Sequence, residues 1–329
     1  MAGGGLVGLT LAIACAEGGI RTIVVEAESA DALTGTGYDG RSAAIAYGSQ
    51  QVLQAIGAWD RIAPHAQPIL DIRVTDGSWH GKRESHAYVH YSNRDLKSEV
   101  RSQKSEDDEL FCESEPLSRE DSRPGALRSS LTSDFRLPAS DPPFGFIVEN
   151  RVTRIALLAR ARECAHLTHI APRMVTALDL AGDAARVTLD DGSVLTAQLV
   201  VAADGKQSAL RRMAGIQARQ FGYRQTAIVC TVTHALPHQG VAHEHFLPAG
   251  PFAMLPMTDE VLEDGTVRHR PSIVWSEDPR LVPMLLKLDD DSFGKEIERR
   301  FGFSLGKVRP LGPRFSYPLT MTLADAYVR

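Results

Sequence analysis

The chain has 329 residues, enough for two domains or one large composite domain, and 43% of them are hydrophobic, which suffices for a sizeable core. A formal net charge of −5 argues against a nucleic-acid-binding protein, and scattered cysteines without a C-x-x-C pair indicate a reducing compartment, with neither a zinc finger nor a disulfide framework. No run of about twenty apolar residues is present, so no transmembrane helix is expected.

A G-x-G-x-x-G motif at Gly3, Gly5 and Gly8 begins the chain. An apolar helical stretch, a β-branched run over 22–25 and an acid, Glu26, follow at the spacing of a βαβ dinucleotide-binding unit. In such a unit the first glycine forms a tight turn, the second lets a pyrophosphate approach the backbone, and the third lets helix pack on strand. Glu26 stands where a carboxylate accepts hydrogen bonds from a ribose hydroxyl. A plain glycine-rich turn is the alternative; a secretory signal would carry basic residues before its apolar run.

The next elements are a loop, a helix and a strand. Residues 27–40 are small and polar and predict a loop, whereas the apolar spacing over 50–62, which includes Val52, predicts one amphipathic helix. Residues 69–76 predict a strand. Residues 93–143 are rich in charge, serine and proline without hydrophobic periodicity, which predicts a disordered insertion; a phosphorylated regulatory loop is the functional alternative.

Ordered structure is expected again from residue 144. A strand over 144–148 leads into a helix that begins at 149–151, and the residues expected to be buried in that helix are Val152, Ile155, Leu157, Leu158 and Ala161. Two strands and a hairpin-type turn follow over 175–180, 186–189 and 190–193. Residues 195–203 predict one strand whose last residues are apolar on both faces, as in the centre of a parallel sheet.

The pattern changes after residue 225 to longer, alternating strands, which predict a mostly antiparallel sheet. The predicted strands are 226–233, 243–246, 252–255, 268–275 and 314–319. Between the last two strands, 281–288 predict a short helical segment and 291–301 a helix with Phe293, Ile297 and Phe301 on one face.

A second motif, D-G-x-x-S-x-x-R, follows the apolar strand end at Asp204, Gly205, Ser208 and Arg211. A carboxylate at this position can bind a ribose hydroxyl, and glycine permits close backbone approach. By itself the motif also fits a strand–turn–helix junction with a capping aspartate. Its pairing with a glycine loop some 200 residues upstream makes the dinucleotide interpretation more specific.

The chain resembles the class A FAD-dependent aromatic monooxygenases of the p-hydroxybenzoate hydroxylase fold, and within them the ubiquinone-biosynthesis hydroxylases that act on polyprenyl phenols. The segments that carry the resemblance, apart from Glu26, are 3–8, 39–46, 149–151, 204–211 and 250–256. The resemblance implies an α/β fold in which a Rossmann-like FAD-binding domain is interleaved with a mostly antiparallel-sheet substrate domain. The expected division is 1–71 and 144–220 for the FAD-binding domain, 72–92 and 221–318 for the substrate domain, 93–143 for the insertion, and 319–329 for a truncated return to the FAD domain.

The resemblance also implies FAD as the cofactor, with NAD(P)H and O₂ as co-substrates. By analogy, Gly3, Gly5 and Gly8 hold the FAD pyrophosphate, and Glu26 holds the adenosine ribose. The other implied contacts are Arg41 with the phosphates or ribityl side, Arg151 near the FAD, the backbone around Val175 near the adenine, and Asp204 with Gly205 at the ribityl chain. A single glycine fingerprint fits a family in which NAD(P)H has no domain of its own.

The implied substrate is a lipophilic phenol, whose pocket would be walled by the apolar strand at 250–256. The expected location is cytoplasmic, and a lipid substrate suggests peripheral association with the inner membrane or with a ubiquinone-biosynthesis complex. No nucleic acid is expected as a partner. No side chain is assigned a catalytic role, although His243 and Glu244 are candidates for assisting deprotonation of a phenol.

Four histidines, His234, His238, His243 and His245, invite a metal interpretation, since the last two point the same way on a strand. A zinc site needs a third or fourth ligand in defined geometry, so strand and loop histidines are the preferred interpretation and no metal is expected.

The chain departs from the family pattern at three points. Only two residues precede the glycine motif, no G-D-A-A-H type motif follows before Arg329, and the insertion at 93–143 is unusual, so the chain is expected to be truncated at both ends. A non-catalytic fragment that does not retain FAD is therefore the main alternative. A flavin-fold reductase or a lipid-binding accessory protein is a further one.

Overall fold

The computed structural model describes residues 1–35, 40–77, 88–92, 142–302 and 304–329. Nearly all of the predicted insertion at 93–143 lies outside the described residues, as does Asp39 of the motif at 39–46. The described chain contains an α/β part and a large sheet. The elements of the α/β part are α1 (Leu6–Glu17), β1 (Thr22–Val25), α2 (Ala30–Thr34), β2 (Ser42–Ala46), α3 (Tyr47–Ala55), α4 (Trp59–Ile62), β3 (Gln67–Ile69), β6 (Gly145–Glu149), α5 (Asn150–Glu163), β7 (Leu167–Ile170), β8 (Val175–Asp179), β9 (Ala185–Leu189), β10 (Val194–Ala197) and α6 (Ala209–Met213).

The large sheet is formed by β4 (Asp71–Asp76), β5 (Tyr88–Ser92), β11 (Ala218–His234), β12 (Val241–Leu247), β13 (Gly250–Val261), β14 (Val267–Glu277) and β15 (Val308–Ala324), with α7 (Val282–Leu286) and α8 (Asp290–Phe301) before its last strand. Its order is β15-β11-β14-β13-β12-β4-β5. All neighbours are antiparallel except β12 and β4, which are parallel. The predicted mostly antiparallel sheet is confirmed.

Parallel strands form the centre of the α/β part. β7 pairs with β1, Val25 at the end of β1 bridges to Ala2, and Ala2 bridges in turn to Ala202, all in parallel. The helices α1 and α5 pack on one face through a core that includes Leu9 and Leu157. The β8–β9–β10 meander covers the other face through a second cluster. This layered arrangement, with the large sheet inserted between its segments, confirms the predicted fold class.

Several sequence predictions need correction. Residues 50–62 do not form one helix, because Gly57 adopts φ +72° and ends α3; its N–H donates to Gln54 O, and Ala58 N–H donates to Leu53 O, which is a Schellman arrangement. Val52, expected on the buried face, is 47% exposed.

The other differences are smaller. The expected loop at 27–40 contains α2, capped by the Ser29 hydroxyl. The single strand expected over 195–203 is two pieces, since β10 belongs to the meander and the segment around Ala202 lies beside Ala2. Strand β2 was not predicted, and Ile155, expected to be buried, is 39% exposed.

The large sheet has two different faces. One face is covered by α7 and α8, whose side chains pack into the main core of this sheet around Phe252, Trp275 and Phe293. The other face meets the α/β part where Ala242 and Met257 pack against Ile147 of β6. The residues Thr320–Ala324 of β15 pair with 218–222 near the expected domain boundary, and the exact division into domains stays a prediction.

Candidate functional site

The glycine loop has the geometry that a phosphate-binding turn requires. Gly3 adopts φ +99°, and a Cβ there would lie 2.3 Å from Ala203 O. A Cβ on Gly8 would lie 2.0 Å from Gly3 O, so α1 packs directly on the turn. Gly5 caps α1, whose first hydrogen bond joins Leu9 N–H to Gly5 O, and a Cβ on Gly5 would meet nothing within 4 Å. The N–H groups at the start of α1 therefore face open space in front of Gly5.

Glu26 braces this loop. Its Oε2 accepts a hydrogen bond from Gly4 N–H at 2.5 Å, and its Oε1 accepts one from Glu28 N–H at 2.9 Å. His169 lies on the same side, because a Cβ on Gly4 would be 3.2 Å from its Nε2. That Nε2 is buried and has no hydrogen-bond partner among the described residues, and burial lowers the pKa of the ring against the opposing effect of Glu26. A role for His169 beside the loop could not be predicted from the sequence, because β7 is distant in the chain.

The aspartate turn adjoins the glycine loop. A Cβ on Gly3 would lie 2.8 Å from Asp204 N, so the two motifs, some 200 residues apart in sequence, meet in space. Asp204 Oδ2 accepts a hydrogen bond from Leu210 N–H at 3.0 Å, and the carboxylate caps α6 as the capping interpretation expected. Its Oδ1 is buried without a partner among the described residues, and Gly205 adopts φ +82° beside open space. The capping and ligand interpretations are therefore compatible.

Val175 lies beside the same loop. Arg173 N–H donates to Glu26 O at 2.8 Å, which holds the chain just before β8 against the end of β1. The Val175 side chain packs in the cluster with Val25 and Leu189. The backbone at this point is therefore next to Glu26, where the adenine end was expected.

Arg41 and Arg151 form a second group. Asn150 N–H donates to Arg41 O at 3.1 Å, so the start of β2 and the start of α5 are adjacent. The Arg41 guanidinium lies 5.8 Å from the centre of the Tyr317 ring on β15. Within the described residues, Arg151 Nε is buried without a hydrogen-bond partner, as are polar atoms of two adjoining residues, Ser42 Oγ and Asn150 Oδ1.

The face of the large sheet that is not covered by α7 and α8 is here called the cleft face. Side chains alternate along β13, so Phe252 and Met254 point into the helix-covered core, while Ala253 and Leu255 point to the cleft face. Half of the residues in the strand expected to wall the pocket, 250–256, therefore face the helix-covered core, and the pocket itself stays a prediction.

The cleft face is limited at both ends by contacts with the α/β part. At one end a Cβ on Gly40 would lie 2.5 Å from the Phe315 ring of β15. At the other end Ile147 packs with Ala242. Arg270 of β14 also forms an ion pair with Glu149 at 3.1 Å, with both side chains about one-fifth exposed. Apart from Gly40 and Glu149, these residues lie in no sequence motif, and only the strand register reveals that they meet.

The histidines that suggested a metal have different partners. His243 packs edge-on against Phe301 at 5.1 Å between ring centres, and burial lowers its pKa to about 4. His245 Nδ1 lies 2.5 Å from Thr75 Oγ1. His234 and His238 neighbour His269 and Asp259 instead. Among the described residues, no group of three or more His, Cys, Asp or Glu side chains has the geometry to hold a metal ion.

The residues around the glycine loop fit a dinucleotide. The open N-terminal end of α1, the Cβ-free approach at Gly5 and the unpartnered Asp204 Oδ1 are what the phosphates and hydroxyls of FAD need. The structure brings together Gly3, Gly5, Gly8, Glu26, Val175, Asp204 and Gly205. Their contacts with a cofactor, and those of Arg41 and Arg151, stay predictions.

Comparisons with known proteins agree with this geometry. Residues 1–272 match the family described as "FAD binding domain". The chain is 42% identical over 326 residues to ubiquinone hydroxylase UbiL of Rhodospirillum rubrum, covering 99% of this chain and 62% of that protein. It is 27% identical over 329 residues to 3-demethoxyubiquinol 3-hydroxylase of Escherichia coli, covering 99% and 69%. Among solved structures, p-nitrophenol 4-monooxygenase PnpA of Pseudomonas putida has a similar fold, with TM-score 0.63, 18% identity, and coverage of 100% of this chain and 69% of that one.

Proposed function

The chain belongs to the FAD-binding domain family, and on that premise we propose that it is a flavin-dependent monooxygenase that hydroxylates a polyprenyl phenol in ubiquinone biosynthesis. The observation that carries the proposal is the meeting of the glycine loop with the aspartate turn, which leaves Asp204 Oδ1 buried and unpartnered among the described residues. The names of similar hydroxylases support the pathway and the substrate class. The chain spans 62% of the length of the first of these, so its own activity is a proposal.

The residues of the loop would bind and orient FAD. The N–H groups at the start of α1 would donate to its pyrophosphate, and the positive end of the helix dipole favours that charge. Asp204 Oδ1 would accept a hydrogen bond from a hydroxyl of the ribityl chain. Glu26 already holds Gly4, so the same carboxylate would fix the loop and receive the ribose. Bound FAD supplies the redox chemistry, with NAD(P)H as the reductant and O₂ as the oxygen source.

The cleft face would bind the aromatic substrate. Ala253, Leu255 and Val274 present a largely apolar surface on strands fixed by a continuous ladder, which would exclude water and orient a lipophilic ring. Arg41 and Tyr317 lie where the α/β part meets this surface, so they would border both ligands.

A lipophilic substrate would require the protein to reach molecules that lie in a membrane. Within the part of the chain that is described, no helix is long and apolar enough to cross a bilayer. We propose a cytoplasmic protein that reaches its substrate by peripheral association with the inner membrane or through a ubiquinone-biosynthesis complex.

An absorption spectrum of the purified chain tests the proposal. The expected result is a flavin spectrum, retained or restored by added FAD, and oxygenated product when NAD(P)H and a prenylated phenol are supplied. A chain that takes up no FAD would favour the non-catalytic alternative. Oxidation of NAD(P)H without oxygenated product would favour a reductase.

A further inference from the structure

We propose that Glu244 contacts the aromatic substrate directly, accepting a hydrogen bond from its ring hydroxyl. The inference rests on the proposed function and specifies the group that recognises a phenol. The sequence offered two candidates for assisting deprotonation of a phenol, His243 and Glu244. The strand places them on opposite faces of the sheet, and the inference selects Glu244.

The register of β12 makes this separation. Ala242 packs against Ile147 on the cleft face, and side chains alternate along a strand, so Glu244 shares that face. His243 points the other way, where its ring packs against Phe301 of α8. His243 is therefore held in the helix-covered core, away from any ligand in the cleft.

The pairing of the strands places Glu244 in one row that crosses the cleft face. Directly paired residues point to the same side of a sheet. The row is, in order from β12 to β15, Glu244, Ala253, Val274, Val229 and Phe315. The last of these rings touches Gly40, at the edge of the α/β part. Four interstrand steps of about 4.8 Å put roughly 19 Å between the ends of the row, which is longer than a substituted aromatic ring.

Glu244 is the polar residue of this row, and it has no partner among the described residues. The other four members are apolar, and no hydrogen bond or ion pair joins Glu244 to another described residue. Burial alone raises the pKa of its carboxyl. Another acid near this face, Glu149, is instead neutralised by Arg270. A half-buried carboxylate without a donor is costly, and a ligand hydroxyl would supply that donor.

The consequence for the reaction follows from the position of the proton. The phenolic O–H would donate to a Glu244 carboxylate oxygen, which draws the proton from the phenol oxygen and raises electron density in the ring. A carboxyl whose pKa is raised accepts that proton more readily than an exposed glutamate. The same contact would discriminate against a ring whose hydroxyl is methylated, because an ether has no proton to donate.

Binding of a matched pair of probes that stay uncharged at neutral pH, 4-methylphenol and 4-methylanisole, tests this without turnover. Dissociation constants would be measured by calorimetry with excess FAD and no NAD(P)H. In the wild-type chain the phenol is expected to bind about 10- to 100-fold more tightly than its methyl ether, the range of a hydrogen bond to a charged acceptor. Glu244→Leu is expected to bring this ratio close to one, and Glu244→Gln, which keeps the side-chain volume, to an intermediate value.

Glu263→Leu is the matched control. Glu263 is exposed in the turn between β13 and β14, so the variant removes the same charge far from the cleft face and is expected to keep the wild-type ratio. Retention of the wild-type ratio in both Glu244 variants, with an unchanged flavin spectrum, would overturn the assignment of Glu244 alone. A wild-type chain that takes up FAD but binds neither probe would refute the aromatic substrate and this inference together.

Discussion

Replacing Gly5 by alanine should separate cofactor binding from stability. A Cβ on Gly5 would meet no protein atom within 4 Å, and the residue has φ −71° and ψ −175°, which alanine adopts without strain. The new methyl group would instead occupy the open space in front of α1, where the pyrophosphate is expected. Gly5→Ala is therefore predicted to weaken FAD binding while leaving the fold intact.

The expected change in the free energy of unfolding is the sum of two small opposing effects, whereas the expected loss of FAD affinity comes from one lost hydrogen bond. Alanine is a poorer helix cap than glycine by up to about 1 kcal/mol, but it lowers the entropy of the unfolded chain by about 0.4–1 kcal/mol, so the net change in unfolding free energy should be within about 0.5 kcal/mol. Displacing an anion by the width of a methyl group loses at least one charge-assisted hydrogen bond, about 1.5–3 kcal/mol, or roughly 10- to 100-fold in FAD affinity.

Gly8→Ala is the contrasting variant, and Gly48→Ala the neutral one. A Cβ on Gly8 would lie 2.0 Å from Gly3 O, so overpacking should cost about 1–3 kcal/mol and lower the melting temperature by roughly 2–6 °C. Gly48 lies in α3 with nothing within 4 Å of its added Cβ. FAD titration by flavin fluorescence and thermal melting would be compared for all three. Wild-type FAD affinity in Gly5→Ala would refute the placement of the pyrophosphate.

Three further predictions concern single side chains. Asp204→Asn keeps an oxygen that accepts the hydrogen bond from Leu210 N–H, so the melting temperature should change by less than about 2 °C. The charge that would bind the FAD hydroxyl is lost, so FAD affinity should fall about tenfold in a fluorescence titration. An unchanged affinity would mean that Asp204 only caps the helix. Burial lowers the pKa of His234 to about 4, so between pH 6.5 and pH 4 the unfolded chain binds more protons than the folded one. The free energy of unfolding therefore falls as the pH falls, by about 2 kcal/mol from pH 7 to pH 5. Urea midpoints should show a smaller loss over this range in His234→Leu, and an equal loss would contradict the lowered pKa of His234. Arg300→Met would leave the buried Glu277 carboxylate with its hydrogen bonds from Trp275 and Asp278 but without its cation, at a cost of about 3 kcal/mol of unfolding free energy. The added change Glu277→Gln should partly restore this loss, and equal melting temperatures for the single and double variants would argue against the ion pair.

The features that could be predicted from the sequence are those with local chemistry. The glycine loop and β1 depend on short-range spacing. The helix cap at Ser208 is also local, because its hydroxyl accepts a hydrogen bond from Arg211 N–H, three residues later. The Schellman ending occurs at Gly57, a glycine within the apolar period of 50–62, and the apolar spacing alone predicts a helix that continues through it. Local signals thus located the elements better than their ends.

The features that were missed depend on pairing. Strand β2 has no strong alternation of its own and exists because Ser42–Ala46 lie antiparallel to β6. The split of residues 195–203 also comes from partners, since β10 pairs with β9 whereas Ala202 lies beside Ala2. Register likewise determines which alternate residues of each strand point to the cleft face. A shift of one residue would exchange them with the residues that point into the helix-covered core.

Strand register also underlies the proposal that the Glu244 carboxyl recognises a phenol. The helix-covered face of the large sheet holds its bulky aromatic residues, Phe252 and Trp275, where they stabilise the core. In the cleft-face row, Ala253, Val274 and Val229 are small or branched, which leaves space for a ring between Glu244 and Phe315. A carboxylate acceptor beside apolar neighbours gains strength from them, because water competes poorly there. Substitutions at Ala253 should therefore alter the fit of the ring, whereas substitutions at Glu244 should alter the preference for its hydroxyl.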